Sequence, residues 1–245
     1  MPRVHIGRRT QRLSRLVIGA TLLLGAVAAP GAAPNAATPG VRVSAVQEPP
    51  LKQYRAYRRM HARNDHFEQE AWLEAWTELD ERGFRYTIVS ERGSDYIRSK
   101  VLKAVLKREQ ELVADGDCGR SELTPDNYEF RQAEQGDGEQ YVTLKPKRKD
   151  VLLVDGRMVL SEDGSELLRV EGRLSKNPSF WTSLVNVIRH YARVDGVRVP
   201  IATESTAKVK FAGLSYLDVH YEYETINNRP VSLAARRTLP PTSVR

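Results

Sequence analysis

Residues 166–223 constrain this fold more than any other part of the chain, because they alternate apolar, β-branched runs with turn residues. At their centre, residues 185–194 and 197–209 flank the pair Asp195-Gly196. An Asp-Gly pair between two such runs is the strongest short-range signal for a β-hairpin. Almost no helical periodicity interrupts the stretch, so it predicts a run of antiparallel strands.

The region before this stretch predicts more of the same sheet. Residues 52–63 and 67–79 each alternate apolar with polar side chains, which is typical of half-buried strands. If these strands pair, a row of arginines faces a row of glutamates, which is favourable across an antiparallel ladder. Trp72 and Trp76 share that charged face. We expect something to cover them, because large aromatic side chains are rarely bare.

One amphipathic helix is predicted between a third strand at residues 84–90 and a loop at Asp115-Gly116. Ser94 is the expected N-cap, and Asp95 complements the helix dipole. An apolar stripe at helical spacing needs an apolar partner, for which the sheet is the candidate. The stripe consists of Ile97, Val101, Leu102, Val105, Leu106 and Leu112.

The remaining segments predict further hairpins. Residues 128–133 and 141–146 flank Gly136-Asp137-Gly138, and residues 150–154 and 157–160 flank Asp155-Gly156. Altogether about ten or eleven strands and one long helix are indicated. We therefore predict an α+β fold, mainly antiparallel β, whose sheet curls into a half-open β-barrel with the long helix packed on its concave face.

The N-terminal residues indicate export. Five arginines precede an apolar run at residues 16–29, which is short for a bilayer core of about 30 Å. Ala26-Val27-Ala28 fits the small-x-small pattern of a cleavage site. Residues 1–28 are therefore interpreted as a secretory signal peptide, with an uncleaved anchor as the alternative. A Sec-type signal is favoured over a twin-arginine signal, and the predicted location is the periplasm.

The rest of the chain divides into three parts. Residues 29–50 are rich in Ala, Pro and Gly and predict a flexible leader, residues 51–226 a single domain, and residues 227–245 a flexible tail. The formal charge of +7 falls to +2 without the five arginines of the signal, which argues against nucleic-acid binding. The single cysteine, Cys118, excludes an intrachain disulfide.

The sequence contains no catalytic or metal-binding motif. The four histidines outside the signal form no zinc-type pair, and there is no Gly-x-Ser-x-Gly. Glu171 is either a buried general base or, as favoured here, a partner of Arg169 or Arg173. Solvation is favoured over cation binding for one polar strand face, which carries Asp218, His220, Glu222 and Glu224. We predict no catalytic residue, no metal and no cofactor.

Five short phrases add a family resemblance. They are residues 90–94 (SERGS), 124–128 (TPDNY), 169–172 (RVEG), 177–181 (NPSFW) and 197–200 (VRVP). Together with the order of elements over residues 51–224, they resemble the LolA-like superfamily of periplasmic lipoprotein carriers and, more distantly, RseB-type sensor domains. The resemblance implies an incomplete β-barrel whose concave apolar face, partly covered by helices, receives an acyl chain.

Candidate ligand-binding residues are the large apolar side chains of the strands and the helix stripe. Phe180 and Trp181 have two interpretations: a plug that seals one end of the barrel, which is favoured, or direct contact with a ligand. The candidates for the cavity wall are Trp72, Trp76, Tyr86, Ile88, Val101, Leu102, Val105, Leu106, Val170, Phe180, Trp181, Val199 and Ile201.

The leading hypothesis is a non-catalytic periplasmic carrier that holds a lipid, an acyl chain or a lipidated protein and contacts the membrane transiently. Apolar burial of about 25 cal/mol per Å² would drive binding, offset by the cost of moving the helix off the sheet. The alternative is an RseB-like envelope sensor or scaffold that binds a protein partner. A hydrolase is least favoured, because no nucleophile and base are visible.

Overall fold

The structure, a computed structural model, describes residues 49–232. The predicted signal peptide, the leader before residue 49 and the tail after residue 232 lie outside the described residues. The strands, in chain order, are β1 (Tyr54–Asn64), β2 (Gln69–Asp80), β3 (Gly83–Gly93), β4 (Tyr128–Gly136), β5 (Glu139–Pro146), β6 (Val154–Ser161), β7 (Leu167–Leu174), β8 (Thr182–Val194), β9 (Val197–Val209), β10 (Gly213–Ile226) and β11 (Arg229–Pro230).

All of these strands belong to one sheet. Its order is β3-β2-β1-β10-β9-β8-β7-β6-β5-β4, and the short β11 pairs with β10. Strands β3 and β4 are its two edges, and no pairing joins them within the described residues, so this sheet is open. The prediction of a mainly antiparallel sheet of ten or eleven strands is confirmed.

The ladder between β1 and β2 has the predicted arrangement. Arginines on β1 lie opposite glutamates on β2, in the pairs Arg55 with Glu78, Arg59 with Glu74 and Arg63 with Glu70. Such opposite charges contribute roughly 0.2–1 kcal/mol per pair. The alternate residues of β1 are buried on the other side of the sheet, which we call the inner face.

The helical segment lies between β3 and β4. It comprises α1 (Asp95–Ile97), a π-helical turn (Arg98–Leu102) and α2 (Lys103–Ala114). Ser94 caps its start by accepting a hydrogen bond from the Ile97 N–H, as predicted. Its apolar stripe from Ile97 to Leu106 is buried in one core cluster with β1, β2 and β10, and Leu112 is buried in a second cluster. No helix within residues 49–232 has the length and apolar character needed to cross a bilayer.

One predicted hairpin is wrong. Asp155-Gly156 does not form a turn between two strands but lies inside β6. Gly156 is opposite Gly172 on β7, and a Cβ atom on Gly156 would lie 2.1 Å from the carbonyl oxygen of Glu171. Gly156 therefore allows two backbones to approach closely, which is a common reason for a glycine within a strand.

The folded domain also extends past the predicted boundary at residue 226. Strand β11 pairs with the end of β10, and Val231 is buried in the core. Ser232 donates from its backbone N–H and its hydroxyl to the carboxylate of Asp195, at 2.8 Å in each case. Residues 227–232 are thus part of the fold.

The inner face is ordered in rows that cross β1, β10, β9 and β8. These rows follow from the strand register. Row 1 contains Asn64, Ser215, Ala207 and Val185; row 2 contains Ala62, Leu217, Ser205 and Val187; row 3 contains Met60, Val219, Thr203 and Arg189.

Candidate functional site

An apolar cavity of about 480 Å³ lies between the start of the helical segment and the inner face. Ile97 and Val101 contribute walls from the helical segment. Volumes of about 300–1,000 Å³ are typical of small-molecule sites. Rows 1 and 2 contribute Asn64, Ser215, Ala207, Ala62, Leu217 and Ser205, and Arg63, Gln69, Lys210, Ala212 and Tyr216 also line the cavity.

Aromatic side chains, most of them exposed, lie at or beside the mouth of this cavity. Phe67, Tyr96 and Phe211 line the cavity but are 55%, 43% and 82% exposed. The Trp181 ring lies 6.1 Å from that of Phe211 and 5.5 Å from that of Phe180, which is 78% exposed. We call these five aromatic residues the rim. Exposed apolar patches of this kind mark membrane, protein or ligand contacts.

Asn64, the last residue of β1, holds two loops of the rim in place. Its side-chain amide donates to the Ala212 carbonyl at 2.7 Å and to Ser215 Oγ at 2.8 Å. Its Oδ1 accepts from the Phe67 N–H at 2.9 Å. Phe211 has a φ of 64°, which is rare for a bulky residue.

A buried ion pair anchors α2 to the sheet. Arg58 donates to both carboxylate oxygens of Glu109, at 2.5 and 2.6 Å, and both side chains are 1% exposed. The Tyr54 hydroxyl donates to Glu109 at 3.2 Å and accepts from Arg58 at 2.7 Å. Bidentate, charge-assisted hydrogen bonds of this kind are among the strongest in proteins.

Sequence reasoning missed this ion pair, although a signal was present. Arg58 occupies the buried register of β1, between Ala56 and Met60. Glu109 comes three residues after Leu106 and is buried with the apolar stripe. Charged residues are almost never fully buried unless paired, so one charge in each of two packed apolar faces predicts a pair.

A second buried arginine, Arg189, has no such partner. It lies in row 3 on β8 and is 5% exposed. Its Nε is buried without a hydrogen bond. Within the part of the chain that the structure describes, Arg189 also forms no ion pair. Sequence reasoning did not single it out, although it interrupts the buried register between Val187 and Tyr191.

The predicted cavity residues fall into three groups. Val101 lines the cavity, and Phe180 and Trp181 belong to the rim. A second group lies in or against the core beside the cavity, namely Leu102, Val105, Leu106, Val199, Tyr86, Ile88 and Ile201. Val170 belongs to a separate core cluster formed with β4 to β9.

Trp72 and Trp76 form the third group, on the outer side of β2 and away from the cavity. His61 stacks on Trp72 with ring centroids 4.6 Å apart, and the Arg92 guanidinium lies 4.2 Å from the same ring. Arg55 lies 4.3 Å from the Trp76 ring. The expected cover over these rings is therefore provided by cationic side chains and an imidazole.

The polar face of β10 is engaged in ion pairs. Glu222 pairs with Arg59 at 2.7 Å, and Glu224 pairs with Arg55. Asp218 lies close to His61, and burial raises the pKa of Asp218 above its usual value. No group of three or more His, Cys, Asp or Glu residues among residues 49–232 is arranged to hold a metal ion.

Glu171 also forms ion pairs. Arg157 and Arg169 both contact its carboxylate, at 2.5 and 3.0 Å. Burial alone would raise the pKa of Glu171, but the hydrogen bonds from these arginines lower it below its usual value. A low pKa suits a structural ion pair rather than a general base near neutral pH.

Comparisons with known proteins identify no relative. No protein-family model matches the chain, no curated protein is similar to it, and no solved structure matches it. Function is therefore inferred from the cavity, the rim and the buried charges.

Proposed function

We propose that this protein is a non-catalytic periplasmic carrier of the LolA-like type that holds an acyl chain, either of a lipid or of a lipidated protein. In this proposal the open sheet is a half-open barrel, and the helical segment lies on its concave face. One observation carries the proposal: an apolar cavity of about 480 Å³ opens among exposed aromatic side chains.

Apolar burial supplies the binding energy in this proposal. Transfer of a hydrocarbon chain out of water contributes about 25 cal/mol per Å² of apolar surface. Helix α2 is anchored by Arg58 and Glu109, so moving it off the sheet would break a buried ion pair. We infer that the chain passes through the rim, where no such pair has to break.

The rim suits transient contact with a membrane. Trp and Tyr side chains are enriched at the interface between lipid and water, because each combines an apolar ring with a polar group, and the rim contains Trp181 and Tyr96. Lys210 lies 4.2 Å from the Phe180 ring, and a lysine at this position favours anionic headgroups. The ligand would exchange between the bilayer and the cavity across this surface.

A cavity-filling substitution tests the proposal. Ala207→Trp places a large ring in row 1, whereas Thr206→Trp changes the preceding residue of β9, which faces the opposite side of the sheet. We expect saturable binding of a fluorescent fatty acid to the purified mature protein. Ala207→Trp should weaken this binding about tenfold or more, equivalent to about 1.4 kcal/mol, and Thr206→Trp should not.

Circular dichroism and thermal unfolding would show that both variants are folded. Saturable binding that a folded Ala207→Trp variant retains in full would place the ligand elsewhere. Absence of saturable binding to the wild-type protein would contradict the carrier itself.

The rim also favours a second candidate, an RseB-like envelope sensor or scaffold that binds a protein partner. Large exposed apolar patches mark protein contacts as well as membrane contacts. Purification from envelope extract separates the two candidates. Bound lipid, detected by mass spectrometry, supports the carrier, whereas a stoichiometric protein that is lost with Phe211→Ser supports the sensor.

A further inference from the structure

Arg189 is a buried cation for which the described part of the chain provides no counter-ion. It is 5% exposed, and its Nε makes no hydrogen bond. Burying a charge is costly unless the charge is paired and hydrogen-bonded. Arg58 meets this requirement through Glu109, and Arg189 does not. A buried guanidinium without an anion therefore suggests that the anion is a ligand.

Arg189 acts electrostatically on two buried tyrosines, Tyr128 and Tyr221, and neither of them supplies a negative charge. Burial raises the pKa of Tyr221; the positive charges of Arg58 and Arg189 oppose this rise, and the negative charge of Glu109 adds to it. The nearby Tyr128 is also neutral, because burial raises its pKa to about 12. Glu109 neutralises Arg58, which leaves the charge of Arg189 uncompensated.

The strand register places Arg189 one row beyond the cavity wall. The cavity wall reaches row 2 through Ser205, and Arg189 lies in row 3, on the adjacent strand and the same face. Diagonal neighbours across an antiparallel pair are about 7–8 Å apart. Met60 also lies in row 3, and its unbranched side chain can adapt to a ligand.

We propose that Arg189 binds the carboxylate of a single-chain fatty acid, which enters the cavity carboxylate first. This inference depends on the proposed function and specifies the class of ligand. The planar guanidinium fork matches a carboxylate in bidentate geometry. Met60 shares row 3 with Arg189, and Asn64 lies in row 1. These rows are about 13 Å apart along β1, at about 3.3 Å per residue. An extended acyl chain covers this distance from the row of Arg189 back to the rim.

The test compares two ligands that differ only in their head group, dodecanoic acid and dodecan-1-ol. For each ligand, displacement of a bound fluorescent fatty acid is measured in the wild-type protein, in Arg189→Met and in Arg173→Met. Arg173 lies on β7 with its side chain 62% exposed, so its variant is the matched control. We expect the wild type and Arg173→Met to prefer the acid about tenfold or more, as hydrogen bonds to charged groups allow.

Arg189→Met should bind the acid and the alcohol equally, with the affinity for the alcohol unchanged. Equal binding of both ligands by the wild type would overturn the role of Arg189 and leave the carrier intact. Absence of competition by either ligand would overturn the carrier as well.

If Arg189→Met does not fold, a second variant replaces it. Arg189→Lys keeps the positive charge but lacks the planar guanidinium. A reduced preference for the acid in that variant supports the proposal, whereas a full preference contradicts it.

Discussion

Arg58 and Arg189 are both buried, but of the two only Arg58 has a counter-ion among the described residues. We therefore expect substitution by methionine to affect the free energy of unfolding differently at the two positions. Arg58→Met leaves Glu109 buried without a partner, and such changes cost about 3–5 kcal/mol of the free energy of unfolding. Arg189→Met removes an uncompensated charge, so we expect the free energy of unfolding to stay the same or to rise. Urea denaturation of both variants measures the difference.

A double variant provides the control for Arg58. Arg58→Met combined with Glu109→Leu replaces the pair with apolar side chains, and we expect it to recover most of the lost stability. A stable Arg58→Met single variant, or an Arg189→Met variant that is as unstable as Arg58→Met, would contradict this distinction.

Asp150 provides a prediction that depends on pH. Its side chain is 4% exposed, and burial alone would raise its pKa, but hydrogen bonds from Arg120 and the Leu152 N–H lower the pKa below its usual value. A carboxyl with a lowered pKa stabilises the fold above its unfolded pKa of about 3.9, and this contribution is lost as the pH falls through the folded pKa.

We therefore expect Asp150→Asn to lower the free energy of unfolding by about 1–3 kcal/mol at pH 7. The difference from the wild type should shrink as the pH falls below about 4. Urea denaturation at a series of pH values measures it, with the exposed Glu129→Gln as the control. A difference that does not change with pH would contradict the assignment.

Individual residues show how far the sequence allows prediction. The apolar positions of β1 and of the helix stripe follow from periodicity, and so does the exposed row of arginines opposite glutamates. Arg58 and Glu109 can be recognised as a pair only from their positions in two apolar registers, because their charges alone are typical of exposed residues. The position of Arg189 in row 3 depends on strand pairing, which local sequence does not specify.

At the level of elements, the rim is a joint product of the loop between β1 and β2, the loop between β9 and β10, and the start of the helical segment. We expect the double variant Phe67→Ser and Phe211→Ser to slow transfer of a fluorescent fatty acid to anionic vesicles severalfold, while equilibrium affinity changes less. Stopped-flow fluorescence measures the transfer rate.

Val89→Ser is the matched control for the rim. Val89 is 53% exposed, which is close to the exposure of Phe67, but it lies on β3 and does not line the cavity. Transfer should be unaffected by this substitution. If Val89→Ser slows transfer as much as the double variant does, general surface hydrophobicity rather than the rim would control exchange.

Elements also show why one turn signal succeeded and another failed. Asp195-Gly196 forms the predicted hairpin between β8 and β9. Asp155-Gly156 has the same two residues but lies within β6, because Gly156 meets Gly172 across the ladder. Local sequence does not distinguish a glycine that supplies a positive φ from one that admits a neighbouring backbone.

At the scale of the whole molecule, the cavity results from strand order. Strand β1 pairs with β10, so the beginning and the end of the domain lie side by side, and the helical segment covers part of their common face. A pairing so distant in sequence has no periodic signal. The fold class could therefore be predicted from the sequence, whereas the position of the cavity could not.

The central claim is that an acyl chain occupies the space bounded by rows 1 and 2. Nuclear magnetic resonance of the isotopically labelled mature protein, titrated with a spin-labelled fatty acid, tests it most directly. We predict saturable broadening that is strongest for the amide signals of Ala62, Ser205 and Leu217 and weakest for those of β5, which lies four strands away from β9 in the sheet. Broadening confined to the outer face of the sheet, or no saturable broadening at all, would contradict the account.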